Sequence, residues 1–186
     1  MKIGLIGYGK MGKAIETIAL SRGHQITAVV NRSNSIDQVD WSNVDVAIEF
    51  TQPDLAISHI QVCLDAHTPI VVGTTAWQKE LPMVEKLVQD HEGSLLHASN
   101  FSVGVNIFFE INRKLAEIMN KHPEYAVRME EIHHVQKLDA PSGTAVSLAN
   151  DIIEVHDQYA DWHLATEKEG NRSISINALR EPNVPG

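Results

Sequence analysis

The chain of 186 residues contains one cysteine, Cys63, and that scarcity removes two chemistries at once. One sulfur cannot form an internal disulfide, and it cannot build a thiolate zinc site alone. A single thiol fits a reducing cytoplasm. Basic residues are also few: 15 Lys and Arg stand against 24 Asp and Glu, a formal net charge of −9. Such a surface argues against nucleic acid or an anionic membrane as partner, because phosphate binding needs a basic face. No apolar run reaches the length of a membrane span. No hydrophobic leader precedes Lys2, and the chain enters a strand directly. Repeats and low-complexity tracts are lacking too. What is there is ordinary for a globular protein: 43% hydrophobic and 21% charged residues, with length for one large domain or two small ones.

Residues 2–6 read as a short buried strand. It runs into Gly7-Tyr8-Gly9-Lys10-Met11-Gly12, a complete G-x-G-x-x-G. Ile15, Ile18 and Ala19 follow at helical spacing, Gly23 ends that helix, and residues 25–30 form a second strand. The glycines permit a tight turn, close approach of a pyrophosphate, and close packing of helix on strand. The motif alone is weak, but here it has the required context, after a strand and before a helix. It predicts a Rossmann-type α/β domain with a doubly wound parallel sheet. The NAD fingerprint places an acid at the end of the second strand, and this chain has Asn31 and Arg32 there. An amide does not repel a 2′-phosphate and a guanidinium pairs with one, so the pattern favours NADPH.

Residues 33–43 are polar and read as loop. Residues 45–50 are a third strand, Thr51-Gln52-Pro53 breaks it, and a helix follows to about Ala66. Phe50 and Thr51 fall at the carboxyl end of that strand, where cofactors sit in such sheets. Cys63 lies within the helix and reads as a small packing residue. Residues 69–72 are a fourth strand, ending in Gly73-Thr74-Thr75, and a helix over 81–90 precedes a strand over 94–98. From about Val105 the pattern changes. Ile107, Ile111, Leu115 and Ile118 mark a helix stopped by His122-Pro123, and residues 125–132 read as a strand. Val146, Leu148, Ala149, Ile152 and Ile153 make an apolar helical face. Residues 172–179 alternate with a period of two, which predicts a sheet with one exposed face, antiparallel to a neighbour. A nucleotide-binding half, 1–104, thus precedes a smaller α+β half, 105–186.

Between that strand and that helix lies the richest stretch. His133, His134, Lys137 and Asp139 fall together, and Pro141-Ser142-Gly143-Thr144 then opens the helix. Histidine gives or takes a proton near neutral pH, and lysine donates one or holds an anion. The N–H groups at a helix start suit a carboxylate or phosphate. Any one of these residues would pass for polar loop, but chance rarely assembles the whole string.

That string resembles the signature of the dihydrodipicolinate reductases, also described as 4-hydroxy-tetrahydrodipicolinate reductases. Glu131, Ile132, His134, Lys137, Asp139 and Pro141-Ser142-Gly143-Thr144-Ala145 match it position by position. The family's Asp-Phe-Thr-x-Pro appears here as Glu49-Phe50-Thr51-Gln52-Pro53, and its Gly-Thr-Thr-Gly ends in Ala76. Ala98-Ser99-Asn100-Phe101 is similar to the family's segment beside the nicotinamide.

The resemblance implies an NAD(P)H-dependent oxidoreductase of the diaminopimelate route to lysine, cytoplasmic, homotetrameric and able to use NADH as well as NADPH. Its substrate is a small cyclic imine dicarboxylate. A hydride adds to the ring and a proton goes to the neighbouring carbon, with His133 and Lys137 in the proton-transfer roles. His134, Gly143 and Thr144 hold the substrate, the last two by binding a carboxylate. A doubly anionic substrate needs cationic and N–H donors, and a carbanion-like intermediate needs a nearby acid. Family members continue for several dozen residues past the point matching Gly186, so the second domain is expected to be incomplete here. The 172–179 strand then lies at or near an open sheet edge.

Three other readings stay open. A metal site could use His133, His134, Glu130 and Glu131, although neighbouring strand residues point to opposite faces, so no metal is expected. Another small-substrate Rossmann reductase is a second reading, as is a semialdehyde dehydrogenase with a cysteine nucleophile, for which Cys63 is badly placed. A truncated or non-catalytic nucleotide-binding module would need only the first half.

Overall fold

The computed structural model describes residues 1–167 and 172–184, which form two units, Met1–Phe101 and Ser102–Gly186. In the first, β1 (Lys2–Ile6), β2 (Gln25–Val30), β3 (Val46–Glu49), β4 (Ile70–Val72) and β5 (Leu95–His97) make one sheet. Their order is β2-β1-β3-β4-β5, all parallel. Helices α1 (Lys10–Ser21), α2 (Pro53–Asp65) and α3 (Leu81–Asp90) are the crossovers. Parallel strands joined by helices are covered on both faces, which is why β1 is apolar at almost every position. Ile3 and Leu5 pack with Ala19 of α1, while Ile6 turns to the opposite face among Ile60, Leu64, Ile70 and Val84. Truncating Ile60, fully buried in α2, to Ala costs about 2–5 kcal/mol.

The strand order reverses between β1 and β3, and ligands in such sheets bind at the carboxyl ends beside that reversal. Gly7 follows β1, Phe50 and Thr51 follow β3, and Gly73 follows β4, so all stand at that edge. One expectation in this unit needs correction. Residues 33–43 are not plain loop. They contain two 3₁₀ turns, Ile36–Gln38 and Trp41–Asn43, that drive Trp41 into the core. Gly4 makes room for it: a Cβ there would meet the indole at 3.0 Å.

The second unit contains α4 (Val103–Met119), β6 (Arg128–His134), α5 (Gly143–Val155), β7 (Asp161–Leu164) and β8 (Ser173–Glu181). Ser102 caps α4 by accepting the Val105 N–H, so the helix begins two residues before the expected place. The sheet order is β6-β8-β7, with both pairings parallel. Two expectations are therefore overturned. The strand near 172–179 pairs parallel with both neighbours: the α5 crossover sets β7 in the same direction as β6, and β8 runs the same way between them. It is also the central strand and not an edge, so β6 and β7 are the outer strands. Its period of two has a simple cause. Ile174 and Ile176 are buried against Ala116, Ala145, Ala149 and Ile152 of the two helices, and Ser173, Ser175 and Asn177 alternate with them.

Candidate functional sites

In the first unit the three motif glycines do three different jobs. Gly7 has φ +95°, a left-handed conformation, and a Cβ there would lie 2.1 Å from the Phe50 carbonyl oxygen. Gly12 lets α1 press on the turn, since its Cβ would lie 2.2 Å from the Gly7 carbonyl oxygen. Gly9 has nothing within 4 Å of a would-be Cβ, so it faces open space. It also caps α1 without a side-chain acceptor, and no acid stands in the first turn. The N–H groups there fit an anion. A pyrophosphate therefore suits this turn on the structure's own terms.

Two clefts adjoin the turn. One, of about 1160 Å³, is lined by Gly7, Tyr8, Gly9, Asn31, Arg32, Phe50 and Thr51, among others. The second, about 340 Å³, takes in Lys10, Met11, Gly73, Thr74 and Thr75. The Asn31 side chain is partly committed, its Oδ1 accepting the Ser33 and Asn34 N–H groups at 2.8 and 3.1 Å. Thr74 is buried, and its hydroxyl accepts the Thr51 N–H at 2.8 Å, so it ties the ends of β3 and β4 together. Beneath them Glu49, fully buried, takes the Thr51 hydroxyl and lies 3.4 Å from His59 Nδ1. Ala98, Ser99, Asn100 and Phe101 do not line either cleft, although the Phe101 ring packs 6.2 Å from that of Phe50. Lys13, Ser33, Ser35, Gln38 and His59 do line the larger cleft, and sequence reasoning missed them. Lys13 had one available signal: it sits one helical turn past Gly9.

Ala76, where the family pattern has glycine, holds the left-handed φ of 66°. The turn thus keeps the conformation that glycine would adopt without steric cost. Cys63 is buried, and burial, helped by the charge of Glu49, pushes its thiol up to about 12. A thiol so rarely ionised is no nucleophile at neutral pH.

In the second unit the hub is Glu131. Strand alternation puts Glu131 and His133 on one face of β6. Glu131 Oε2 lies 2.8 Å from His133 Nδ1, a close contact off the line of a straight hydrogen bond. Its Oε1 accepts the Ser142 N–H at 3.0 Å and faces Arg180 Nη1 at 3.3 Å. Burial opposes ionisation of this carboxyl, but Ser142, His133 and Arg180 outweigh it and hold the group below the usual carboxylate range. Lys137 Nζ is gripped by both oxygens of Asp139, at 2.8 and 2.9 Å, and this bond holds the Asp139 carboxyl low in turn.

Ser142 caps α5 through its hydroxyl, which accepts the Ala145 N–H. Gly143 and Thr144 are the first residues of that helix, whose N–H groups have no acceptor within it. The structure thus gathers His133, Arg180 and the start of α5 around Glu131, and Arg180 links this group to the Lys137 carbonyl at 3.4 Å. It does not bring in the His134 ring, whose Nδ1 is buried with no hydrogen-bond partner among the described residues. Glu131 was legible only as part of the motif string, and Arg180, a lone arginine in a strand, carried no signal at all. Among the described residues no group of three or more His, Cys, Asp or Glu is arranged to hold a metal ion. None of the described helices is long and apolar enough to cross a membrane.

Comparison with known proteins gives the same picture for both units. Residues 1–101 match the family model for "Dihydrodipicolinate reductase, N-terminus", and residues 104–186 match that for "Dihydrodipicolinate reductase, C-terminus". The 4-hydroxy-tetrahydrodipicolinate reductase of Christiangramia forsetii is 43% identical over all of this chain and 77% of its own. That of Rickettsia rickettsii is 33% identical over all of this chain and 78% of its own. The dipicolinate-bound dihydrodipicolinate reductase from Paenisporosarcina sp. TG-14 superposes with a TM-score of 0.70 at 25% identity, covering all of this chain and 80% of its own.

Proposed function

The chain belongs to the dihydrodipicolinate reductase family, and from that premise we infer that it is the oxidoreductase that reduces 4-hydroxy-tetrahydrodipicolinate to tetrahydrodipicolinate in the diaminopimelate route to lysine. The observation that carries the reading is that both halves of the chain match the family over their whole length, each with its motif residues folded into a site.

A reduced nicotinamide nucleotide supplies the hydride when bound. The turn over residues 7–12 holds its pyrophosphate, with Phe50, Thr51, Gly73, Thr74 and Thr75 along the strand ends. Asn31 and Arg32 receive the adenosine end, and the absence of a carboxylate there supports use of NADPH, with NADH also accepted. Ala98, Ser99, Asn100 and Phe101 take the nicotinamide side. In the second unit Gly143 and Thr144 bind one substrate carboxylate through N–H and hydroxyl donors. His134 is assigned to the substrate by the family motif alone, since its ring is not gathered around Glu131. His133 and Lys137 deliver the proton to the ring carbon next to the site of hydride addition. Asp139 holds Lys137 Nζ in place through two contacts, at 2.8 and 2.9 Å, which suits a positioned proton donor.

The reading includes a cytoplasmic homotetramer. The acidic surface and single cysteine support the compartment. An exposed apolar face on α4 (Ile107, Phe108, Ile111, Leu115) supports association. The test is a coupled assay with enzymatically generated substrate, following oxidation of NADPH and of NADH. Turnover with either nucleotide supports the reading, and none with both sinks it.

A further inference from the structure

We propose that Glu131 and Arg180 form a positioning clamp that fixes the proton-transfer groups His133 and Lys137, a role that rests on the reductase reading. The two residues are 49 apart in sequence. They meet because β8 pairs with β6 in a register that sets Arg180 opposite His133. The Arg180 side chain is only 20% exposed and that of Glu131 10%.

The guanidinium spends four hydrogen bonds on the protein. It donates to Glu131 Oε1 at 3.3 Å, to the Lys137 carbonyl at 3.4 Å, to the Asp139 carbonyl at 2.5 Å and to its own neighbour Leu179 at 2.7 Å. Arginine offers five N–H donors in one rigid plane, and here that plane spans a carboxylate and two carbonyls of one loop, two residues apart. A guanidinium spent in this way does not have two parallel N–H groups left to grip a substrate carboxylate in bidentate fashion.

The loop needs such a hold. Leu138, between the two pinned carbonyls, is 98% exposed, so no apolar burial fixes this segment. Without Arg180, Lys137 would depend on the Asp139 pair within the same loop and on the Lys137 N–H bond to the His134 carbonyl at 3.1 Å. Glu131 completes the device from the other side. One carboxylate abuts the ring of His133 at 2.8 Å while it accepts from the Ser142 N–H at the start of α5 and from the guanidinium. The clamp therefore joins both proton-transfer residues to the start of the helix that holds the substrate.

The test compares Arg180→Ala, Arg180→Lys and Glu131→Gln with wild type in the full chain. A displacement of about 1 Å in a reacting group costs on the order of 100-fold in rate. Arg180→Ala should therefore lose kcat by about that factor, with KM for the substrate and NADPH affinity within about twofold of wild type. Added guanidinium ion should restore part of the kcat, and Arg180→Lys should recover little, since one ammonium cannot bridge the loop and Glu131. Glu131→Gln keeps the side chain's size and should lower kcat in the same sense. Hydrogen exchange at the Lys137 amide reads the clamp without any turnover, and protection there should fall in Arg180→Ala. Unchanged exchange and unchanged kcat would overturn the clamp. So would a raised KM at constant kcat, which would make Arg180 a substrate contact. An inactive wild type would sink the reductase reading alone, because the exchange measurement still decides the clamp. If Arg180→Ala does not fold, Glu131→Gln carries the same comparison.

Discussion

The two units build their sites from different materials. In the first, the backbone makes the site: a left-handed glycine, an open glycine and an uncapped helix start shape a place for a pyrophosphate. In the second, side chains make it: Glu131 meets an imidazole and a guanidinium, and Asp139 holds an ammonium, across β6, β8 and the loop between β6 and α5. A backbone site fails by steric clash, and its parts lie close together in sequence. A side-chain site fails by loss of charge or position, and its parts can come from anywhere in the chain.

Gly7→Ala should break the first site most severely. The added Cβ meets a backbone carbonyl at a conformation that alanine resists. A loss of about 3 kcal/mol in stability, with loss of nucleotide binding, is expected in thermal melts and NADPH titrations. Gly9→Ala sharpens the contrast within the same motif. Its Cβ meets nothing in the protein. The melting temperature should hold while NADPH affinity falls by roughly 100-fold, about 2.7 kcal/mol. A fall in stability equal to that of Gly7→Ala would show that Gly9 serves the fold and not the ligand.

Arg32→Ala asks whether a side chain tunes this backbone site. NADPH should weaken by about 1–3 kcal/mol with NADH little changed. Equal losses for both nucleotides would remove Arg32 from the 2′-phosphate. The smallest effect belongs to Ala76→Gly, which relieves the left-handed alanine after β4 and should raise stability by about 1 kcal/mol. A neutral or lower melting temperature would mean that the turn carries no such strain.

The same difference explains what is legible in the sequence. Gly7, Gly9 and Gly12 have a fixed spacing because the turn and helix that need them are local. Their roles follow from that spacing and from the strand and helix on either side. Periodicity locates the strands near 2–6, 25–30 and 69–72 for the same reason. Trp41 is lost in a polar stretch, because its burial depends on Gly4 in a distant strand making room. The strand near 172–179 reads as antiparallel and near an edge, because alternation reports which faces are covered and says nothing of direction or neighbours. Arg180 stands in that strand without any local pattern. Its meaning comes only from the register that sets it opposite His133.

The central claim is that catalysis resides in the side chains of the second unit and nucleotide affinity in the backbone of the first. The direct measurement is steady-state turnover and NADPH affinity of the His133→Ala/Lys137→Ala double variant, with enzymatically generated substrate. Turnover should fall by about 100-fold or more while NADPH binds as in wild type. Turnover equal to wild type, or nucleotide affinity lost in proportion to rate, would contradict the division.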